Sequence, residues 1–215
     1  MASRSLKHLS RVAPDWAEIH GILDGISDHT DREVAIVSAA LLDHGLECAI
    51  KANLIDLTKV DGDRLFGDRA PMNTLSAKII LARAMSLISQ RLQKDLDTVR
   101  DIRNTFSHAL GNVSFYSAEI ANACDNLKIP DERQDEIKNY HHIGLSTSDG
   151  NVPGYGEKDM LLVSSNNSIV TAIRHPSIDG PKGRYIWSVK LIWMFLAAEA
   201  AWPKAKFKPD KDGGI

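Results

Sequence analysis

The sequence predicts an all-α helical bundle, with an irregular insert that can include a small hairpin before a C-terminal helix. Three observations carry this prediction. Apolar residues recur at helical spacing through the first two thirds of the 215-residue chain. Residues that favour helix N-caps precede most of these apolar segments, and turn-forming residues concentrate after Tyr140. A chain of this length buries a core without help from disulfides or metals.

Two helices joined by a capping signal are predicted in the first part of the chain. The first begins at Pro14, a residue that suits the first turn of a helix, and keeps its apolar side chains on one face. The string TDRE that follows has the form of a capping box, in which Thr30 accepts from the amide of Glu33 and Glu33 reaches back to the amide of Thr30. Residues 34–57 are apolar around much of a helical circumference, which predicts a long central helix with several neighbours.

Beyond the central helix, the sequence predicts a polar loop and then a series of shorter helices. The loop is the string VDGDRLFGDRAPMN, residues 60–73, which contains glycine, proline and charged residues. Each later helix follows a capping or helix-opening residue: Thr74 or Asn73 before LSAKIILARAMSLI, Ser89 before QRLQKDLDTVRDIRNTFSHAL, Ser117 before AEIANACDNL, and Pro130 before DERQDEIKNY. Gly111 is predicted to end the second of these helices.

After Tyr140 the sequence becomes rich in turn-forming residues and too poor in apolar ones to build a core of its own. Two short runs, DMLLVSS and SIVTAIRH, favour a small hairpin within this insert. The segment YIWSVKLIWMFLAAEAAW is short for a bilayer span and is interrupted by Lys190 and Glu199, which predicts a buried core helix. The predicted division is a bundle at residues 1–140, the insert at 141–183, a C-terminal helix at 184–203 and a disordered basic tail at 204–215.

Charge and cysteine content restrict the function classes. The net charge of −2 gives the protein no overall positive field, so any nucleic-acid site has to be local. Cys48 and Cys124 both fall in apolar helical segments and are predicted to be buried thiols rather than a disulfide, as expected in a reducing cytoplasm. The string MASRSLKHLSRVAP lacks the apolar core of a secretory signal. A cytoplasmic protein without membrane contact is therefore predicted.

A polar stripe on the helix that contains RDIRNTFSH is the strongest candidate for a functional site. Arg100, Asn104 and His108 follow one another at i, i+4 and i+8 on one face, and Ser107 falls between them in projection. Arg103 lies about 60° from Arg100, nearer the apolar border of the helix. Arg103 and His108 therefore converge only if the helix winds irregularly near its end or if a second subunit completes the site.

These residue types suit the cleavage of RNA. A histidine titrates near neutrality and can move protons to or from the 2′-hydroxyl or the leaving oxygen. An arginine fork matches the charge that develops on a phosphoryl group, and Asn104 can hold either the imidazole or the phosphate. A structural interpretation is also open, in which Arg103 pairs with Glu33 or Glu47 and His108 caps the helix end. The candidate binding residues are Arg100, Arg103, Asn104, Ser107, His108, Glu33 and Glu47.

No cofactor and no metal is predicted. His141 and His142 are adjacent, so on a helix they point about 100° apart, which is poor geometry for sharing a metal. His44 and Glu47 lie one turn apart on the central helix, but a metal there would need a third ligand. The string GNVPGYG is not followed by the lysine and hydroxyl residue that a phosphate-binding loop requires.

From Asp31 to about Leu127, the chain resembles the mannitol operon repressor family, MltR. The resemblance rests on the order and loop lengths of the strings DREVAIVSAALLDHGLECAIKANL, LFGDRAPMNTLSAKIILARAMSLIS and LQKDLDTVRDIRNTFSHA, followed by VSF and IANAC. It implies an all-helical bundle that regulates transcription of a sugar operon. It also implies that repression works through a protein partner or an unrecognised surface, since the family lacks a conventional DNA-binding domain. No helix-turn-helix pair is found in this sequence.

The string RNTFSH also resembles the R-x4–6-H signature of HEPN domains, with the polar residue that usually follows the arginine. Many HEPN domains are dimeric, metal-independent endoribonucleases of toxin–antitoxin and defence systems. This resemblance implies that Arg103 and His108 are catalytic and that Asn104 supports them. Other HEPN domains only bind nucleotides or proteins. The first expectation is an MltR-like regulator that forms a homodimer and acts through a protein partner; the alternatives are a ribonuclease that binds RNA and a catalytically silent protein-interaction bundle.

Overall fold

The computed structural model of the protein describes residues 16–128, 143–147, 160–164 and 169–201. Seven α-helices lie within these ranges: α1 (Trp16–Gly25), α2 (Asp31–Asn53), α3 (Lys59–Phe66), α4 (Leu75–Ala84), α5 (Gln90–His108), α6 (Ala118–Asp125) and α7 (Gly180–Ala201). A 3-10 turn, Ile26–Asp28, follows α1. Helices make up most of the described residues, so the predicted all-α bundle is confirmed.

The core forms where α2 packs against α7, the most extensive helix contact in the described part of the chain. α2 also packs against α4 and α5, while α6 packs against α7. Gly45 allows α2 and α7 to approach closely, because a Cβ atom at this position would lie 2.8 Å from the Trp193 ring. The predicted long central helix with several neighbours is confirmed, although it ends at Asn53.

Capping side chains form hydrogen bonds at the predicted starts of α2, α4 and α5. The Thr30 hydroxyl accepts from the Glu33 amide and the Glu33 carboxylate accepts from the Thr30 amide, so the predicted capping box is confirmed. Thr74, rather than Asn73, caps α4, and Ser89 caps α5. Each such cap satisfies a backbone amide that the helix itself cannot, which is worth about 1 kcal/mol.

The predicted loop at residues 60–73 is wrong in its first half, where the chain forms α3. The Thr58 hydroxyl accepts from the Asp61 amide and donates to the Asp61 carboxylate, which caps the helix. No residue of α3 is buried, and its three apolar residues, Val60, Leu65 and Phe66, are too few among charged residues and a glycine to mark a helix by their spacing. Gly62 lies within α3 and costs a helix only about 1 kcal/mol. The capping threonine, with an aspartate three residues later, was the signal for this helix.

The end of α5 also differs from the prediction. The helix ends at His108, and Gly111 does not cap it. Ala109 adopts an extended backbone, and its carbonyl accepts a hydrogen bond of 2.7 Å from Arg32 Nη2. The Arg32 side chain, from α2, therefore satisfies a carbonyl at the end of α5, where a glycine cap was predicted.

The C-terminal end of α4 and the N-cap of α6 also differ from the predictions. α4 ends at Ala84 because Ser86 adopts a φ of 57°, a left-handed conformation that interrupts a helix. Ser117 stands at the N-cap of α6, as predicted, but its side chain makes no capping bond. Its hydroxyl accepts from the amide of Ser114, within the loop that precedes the helix.

Three antiparallel strands form in the insert, in the order β1 (Ile143–Thr147), β2 (Met160–Ser164) and β3 (Ile169–Ile173). β2 and β3 fall within the runs DMLLVSS and SIVTAIRH and pair with each other, so the predicted hairpin is confirmed. β1 pairs with the other side of β2. It was not predicted, because IGLST is short and contains few of the β-branched and aromatic residues that mark a strand.

α7 begins at Gly180, before the predicted start at Tyr185, and is buried along nearly all of its length. The predicted core helix is therefore confirmed, with Lys190 and Glu199 both buried. The Lys190 ammonium donates to the Arg174 carbonyl at 3.0 Å, which supplies a partner for a charge inside the core. None of the helices that the structure describes is both long and apolar enough to cross a bilayer.

Four predicted features lie outside the described residues: the helix start at Pro14, the helix after Pro130, the pair His141 and His142, and the tail at residues 204–215.

Candidate functional site

The polar stripe lies on one side of α5, and the opposite side of the helix is anchored in the core. The apolar side chains that anchor it are Leu92, Leu96, Val99, Ile102 and Phe106. Phe106 lies inside the string RNTFSH, and its ring centroid is 5.1 Å from that of Phe115. The Phe115 ring in turn lies 4.9 Å from the Tyr185 ring of α7. The last turns of α5 therefore present their polar residues from an anchored helix.

Arg103 is exposed, and among the described residues its guanidinium has a single hydrogen-bond partner, the neighbouring Asn104. Arg103 Nη1 donates to Asn104 Oδ1 at 3.0 Å. The predicted pairing of Arg103 with Glu33 or Glu47 is wrong, because the guanidinium bonds to Asn104 and, among the described residues, the ion pairs of both carboxylates involve other side chains. An arginine has five N–H donors, so most of those on Arg103 remain available to a ligand.

Glu33 and Glu47 stabilise α2 and its surroundings. Glu33 Oε2 accepts from the Thr30 hydroxyl at 2.8 Å and from the Thr30 amide at 2.9 Å, and these bonds hold the pKa of Glu33 below its usual value. Glu47 accepts from Lys51 at 2.6 Å and lies 2.8 Å from the Lys78 ammonium. Burial alone would raise the pKa of Glu47, but the hydrogen bonds from both lysines outweigh it and lower that pKa.

Arg100 is neutralised by two carboxylates of its own helix. Its Nη1 lies 2.8 Å from Asp97 Oδ1 and its Nη2 lies 3.0 Å from Asp101 Oδ1. Nη1 also donates to the Ser76 hydroxyl of α4 at 3.3 Å. Arg100 therefore fastens α5 to α4, and it offers an anionic ligand much less positive charge than Arg103 does.

His108 is the last residue of α5 and is exposed. In the part of the chain that the structure describes, its imidazole has no hydrogen-bond or ion-pair partner. α5 is α-helical through to His108, so the irregular winding that would bring Arg103 directly to it does not occur. The side chains of Arg103 and His108 leave a regular helix about 140° apart.

Asn104 lies between these two directions, about 100° from Arg103 and about 40° from His108. It lies one turn before His108, on the same face of the helix, and its amide oxygen holds the Arg103 guanidinium. Ser107, which is partly buried, stands one turn after Arg103. The hydrogen bond therefore directs the Arg103 guanidinium towards Asn104, on the side of the helix that carries His108, while the backbone of α5 stays regular.

Arg32 is a residue beside the site that sequence reasoning missed. It lies in the first turn of α2, and it contacts the carbonyl of Ala109, the residue directly after His108. Its neighbour Asp31 accepts from the Phe115 amide at 3.0 Å. The string DRE indicated a helix start and nothing more, because the contact between Arg32 and Ala109 joins residues 77 positions apart.

The other candidate residues, which could bind a metal or act as thiols, do not form a site within the described ranges. Within the described ranges, no group of three histidine, cysteine, aspartate or glutamate side chains is placed to hold a metal ion. The His44 ring stacks 6.3 Å from the Trp193 ring, and its Nε2 lies 3.5 Å from Cys48 Sγ. Burial raises the pKa of the Cys48 thiol and raises that of Cys124 to about 12. Both cysteines are free thiols, as predicted, although Cys48 is only partly buried.

No protein-family model, no curated protein and no solved structure matches this chain. The resemblances to the mannitol operon repressor family and to HEPN domains therefore stay predictions that rest on the quoted strings. The geometry itself consists of an exposed arginine, a side-chain amide and an exposed imidazole on the last turns of one anchored helix.

Proposed function

We propose that this protein is an endoribonuclease in which Arg103, Asn104 and His108 form the active site. The observation that carries the proposal is the exposed guanidinium of Arg103, which an amide holds at 3.0 Å and no described carboxylate neutralises. Arg100 shows the opposite arrangement, with two carboxylates within 3.0 Å. An arginine that is oriented but not neutralised, on the same helix end as an imidazole, suits the binding of a phosphodiester.

Cleavage of RNA needs two proton transfers and the stabilisation of charge on phosphate. The 2′-hydroxyl oxygen loses its proton and bonds to phosphorus, while the bond from phosphorus to the 5′-oxygen breaks and that oxygen gains a proton. The products are a 2′,3′-cyclic phosphate and a 5′-hydroxyl. His108 suits either proton transfer, and Arg103 suits the charge that develops on the phosphate oxygens. The HEPN resemblance implies a dimer, in which a second His108 is available for the other transfer.

Cleavage of a fluorescently labelled single-stranded RNA in the presence of a chelator tests this proposal. We expect wild type to release products with cyclic phosphate ends. His108→Ala and Arg103→Ala should lower kcat/KM by about 10²–10³-fold. Asn104→Ala should lower it by about tenfold, because that side chain orients another group.

Arg83→Ala is the matched control, because it removes an exposed arginine from α4, away from the end of α5. It should cleave at the wild-type rate. RNA that stays intact with wild type, or that His108→Ala cuts equally fast, would contradict the proposal. Cleavage that requires added metal would contradict a mechanism in which only protein side chains act.

A second candidate function is the transcription regulator that the MltR resemblance implies. The observation that favours it is the mixed charge of α5, where Asp97 and Asp101 lie beside Arg100. Carboxylates at these positions repel a nucleic-acid backbone, whereas alternating charges suit a protein partner. In this scheme the turn of α5 that carries Asp97, Arg100 and Asp101 binds a partner protein that contacts the operator.

RNA sequencing of a deletion strain that carries each variant separates the two candidates. If the regulator is correct, a single operon should be derepressed in the deletion strain and repressed again by His108→Ala. The double variant Asp97→Lys and Asp101→Lys should fail to restore repression, and the purified protein should not bind operator DNA in fluorescence anisotropy. Restoration by the charge-reversed variant would contradict the regulator. If RNA is not cut and no operon responds, the silent protein-interaction bundle is left.

A further inference from the structure

The loop that follows α5, residues 109–117, is fastened near both ends to the first turn of α2. At its start, Arg32 Nη2 donates to the Ala109 carbonyl at 2.7 Å. Near its end, the Phe115 amide donates to Asp31 Oδ2 at 3.0 Å. Two consecutive residues of α2 therefore hold the segment that begins directly after His108.

An arginine in the first turn of a helix is unfavourable unless a nearby contact compensates for it, because the N-terminal end of the helix dipole is positive and disfavours cations. For Arg32, the C-terminal end of α5 provides the compensating contact. The last carbonyls of a helix have no partner within it and carry partial negative charge. The Arg32 guanidinium lies against this end and donates to Ala109, and no carboxylate in the described ranges pairs with it.

The two hydrogen bonds that hold this loop, from Arg32 to Ala109 and from Phe115 to Asp31, differ in how well other contacts support them. Asp31 Oδ1 also lies 3.2 Å from the Lys182 ammonium, which donates to the His29 carbonyl at 2.8 Å. Phe115 itself is buried in the core. The Phe115 end of the loop is thus held by an ion pair and by packing. At the Ala109 end, the amide donates to the Thr105 carbonyl of α5 at 2.9 Å, and the exposed Arg32 supplies the contact to α2.

We propose that Arg32 is a positioning residue for His108. By satisfying the Ala109 carbonyl, it keeps the last turn of α5 wound, so that the His108 imidazole stays on the face where Asn104 holds Arg103. This role rests on the proposed ribonuclease function. Arg32 acts through the backbone of α5, so its loss should impair the chemical step while leaving phosphate binding by Arg103 in place.

Steady-state cleavage kinetics and amide hydrogen exchange of the full chain test this role. Arg32→Gln should lower kcat by about 10–100-fold, the effect of a displacement of about 1 Å, and should leave KM within about threefold of wild type. Arg32→Lys keeps a cationic donor and should recover most of the lost rate. Exchange at residues 105–112 should be faster in Arg32→Gln than in wild type, because the last turn frays.

Arg83→Gln is the control, because it makes the same change at an exposed arginine of α4 and should alter neither kinetics nor exchange. Unchanged kcat in Arg32→Gln, with an active wild type, would overturn the positioning role alone. A rise in KM without a fall in kcat would also overturn it, because Arg32 would then bind the RNA itself. An inactive wild type would overturn the proposed function, and this role with it.

Discussion

Replacing Lys78 by methionine should destabilise the protein through charge rather than through packing. The Lys78 side chain is 3% exposed and lies between two carboxylates of α2, 2.7 Å from Asp43 and 2.8 Å from Glu47. In the part of the chain that the structure describes, the other oxygen of Asp43 is buried without a hydrogen-bond partner. Methionine has nearly the length of the lysine stem, so it fills the same space. It leaves Asp43 without its cation and leaves Glu47 paired with Lys51 alone.

The magnitude follows from the burial of the three groups. Removing one partner of a fully buried ion pair costs about 3–5 kcal/mol. The carboxylates are less buried than that, with Asp43 32% and Glu47 24% exposed, and Lys51 still lies 2.6 Å from Glu47. Water and Lys51 therefore reduce the expected loss to about 2–3 kcal/mol of unfolding free energy near neutral pH.

The loss should depend on pH in a direction that the pKa shifts fix. The pKa of Glu47 lies below its usual 4.5, so its contribution to stability is complete above that pH and disappears as the pH falls through the folded pKa. Burial alone would lower the pKa of Lys78, but the bonds from both carboxylates outweigh it and raise that pKa above its usual 10.5. Its contribution is therefore complete below that value. The difference between wild type and Lys78→Met should be largest between these two limits.

Urea unfolding, followed by tryptophan fluorescence and far-ultraviolet circular dichroism, measures the difference at about pH 7 and about pH 3. We expect a loss of about 2–3 kcal/mol at the first pH and less than about 1 kcal/mol at the second. Adding Asp43→Asn and Glu47→Gln to Lys78→Met should recover most of the loss at neutral pH. Lys94→Met, at an exposed position of α5, is the control. An equal loss at both pH values would refute the electrostatic explanation.

Three other predictions concern burial and close packing. Phe106→Ala should lower the free energy of unfolding by about 3–5 kcal/mol in a urea titration, because the ring is fully buried inside the candidate motif. Gly183→Ala should lower the free energy of unfolding by at least about 1–3 kcal/mol, because a Cβ atom there would lie 1.6 Å from a backbone oxygen. Gly21→Ala is the control, since a Cβ atom there would meet no atom within 4 Å, and it should not destabilise the protein. In native mass spectrometry after iodoacetamide treatment near neutral pH, Cys124 should remain unmodified, because its pKa of about 12 leaves almost no thiolate; rapid labelling in the folded protein would show that α6 opens.

Features that depend on a few neighbouring residues could be predicted from the sequence. The capping box at Thr30 and the cap at Ser89 each join residues three apart, so the chain needs no tertiary contact to specify them. The inward face of α5 and the buried α7 follow from the amount and spacing of apolar side chains. α3 shows the limit of apolar spacing as a signal, since a helix of eight residues with none buried can be recognised from the sequence only by its capping residues.

The sequence by itself determined the bundle, most helix starts and the presence of Arg103, Asn104 and His108 on one helix. Only the tertiary structure decided which groups neutralise which charges. Glu47 bonds to Lys78 rather than to Arg103, and Arg32 closes the end of α5 in place of Gly111. The physical reason is that a charged side chain can satisfy its hydrogen bonds with any of several partners, and helix packing selects among them by distance.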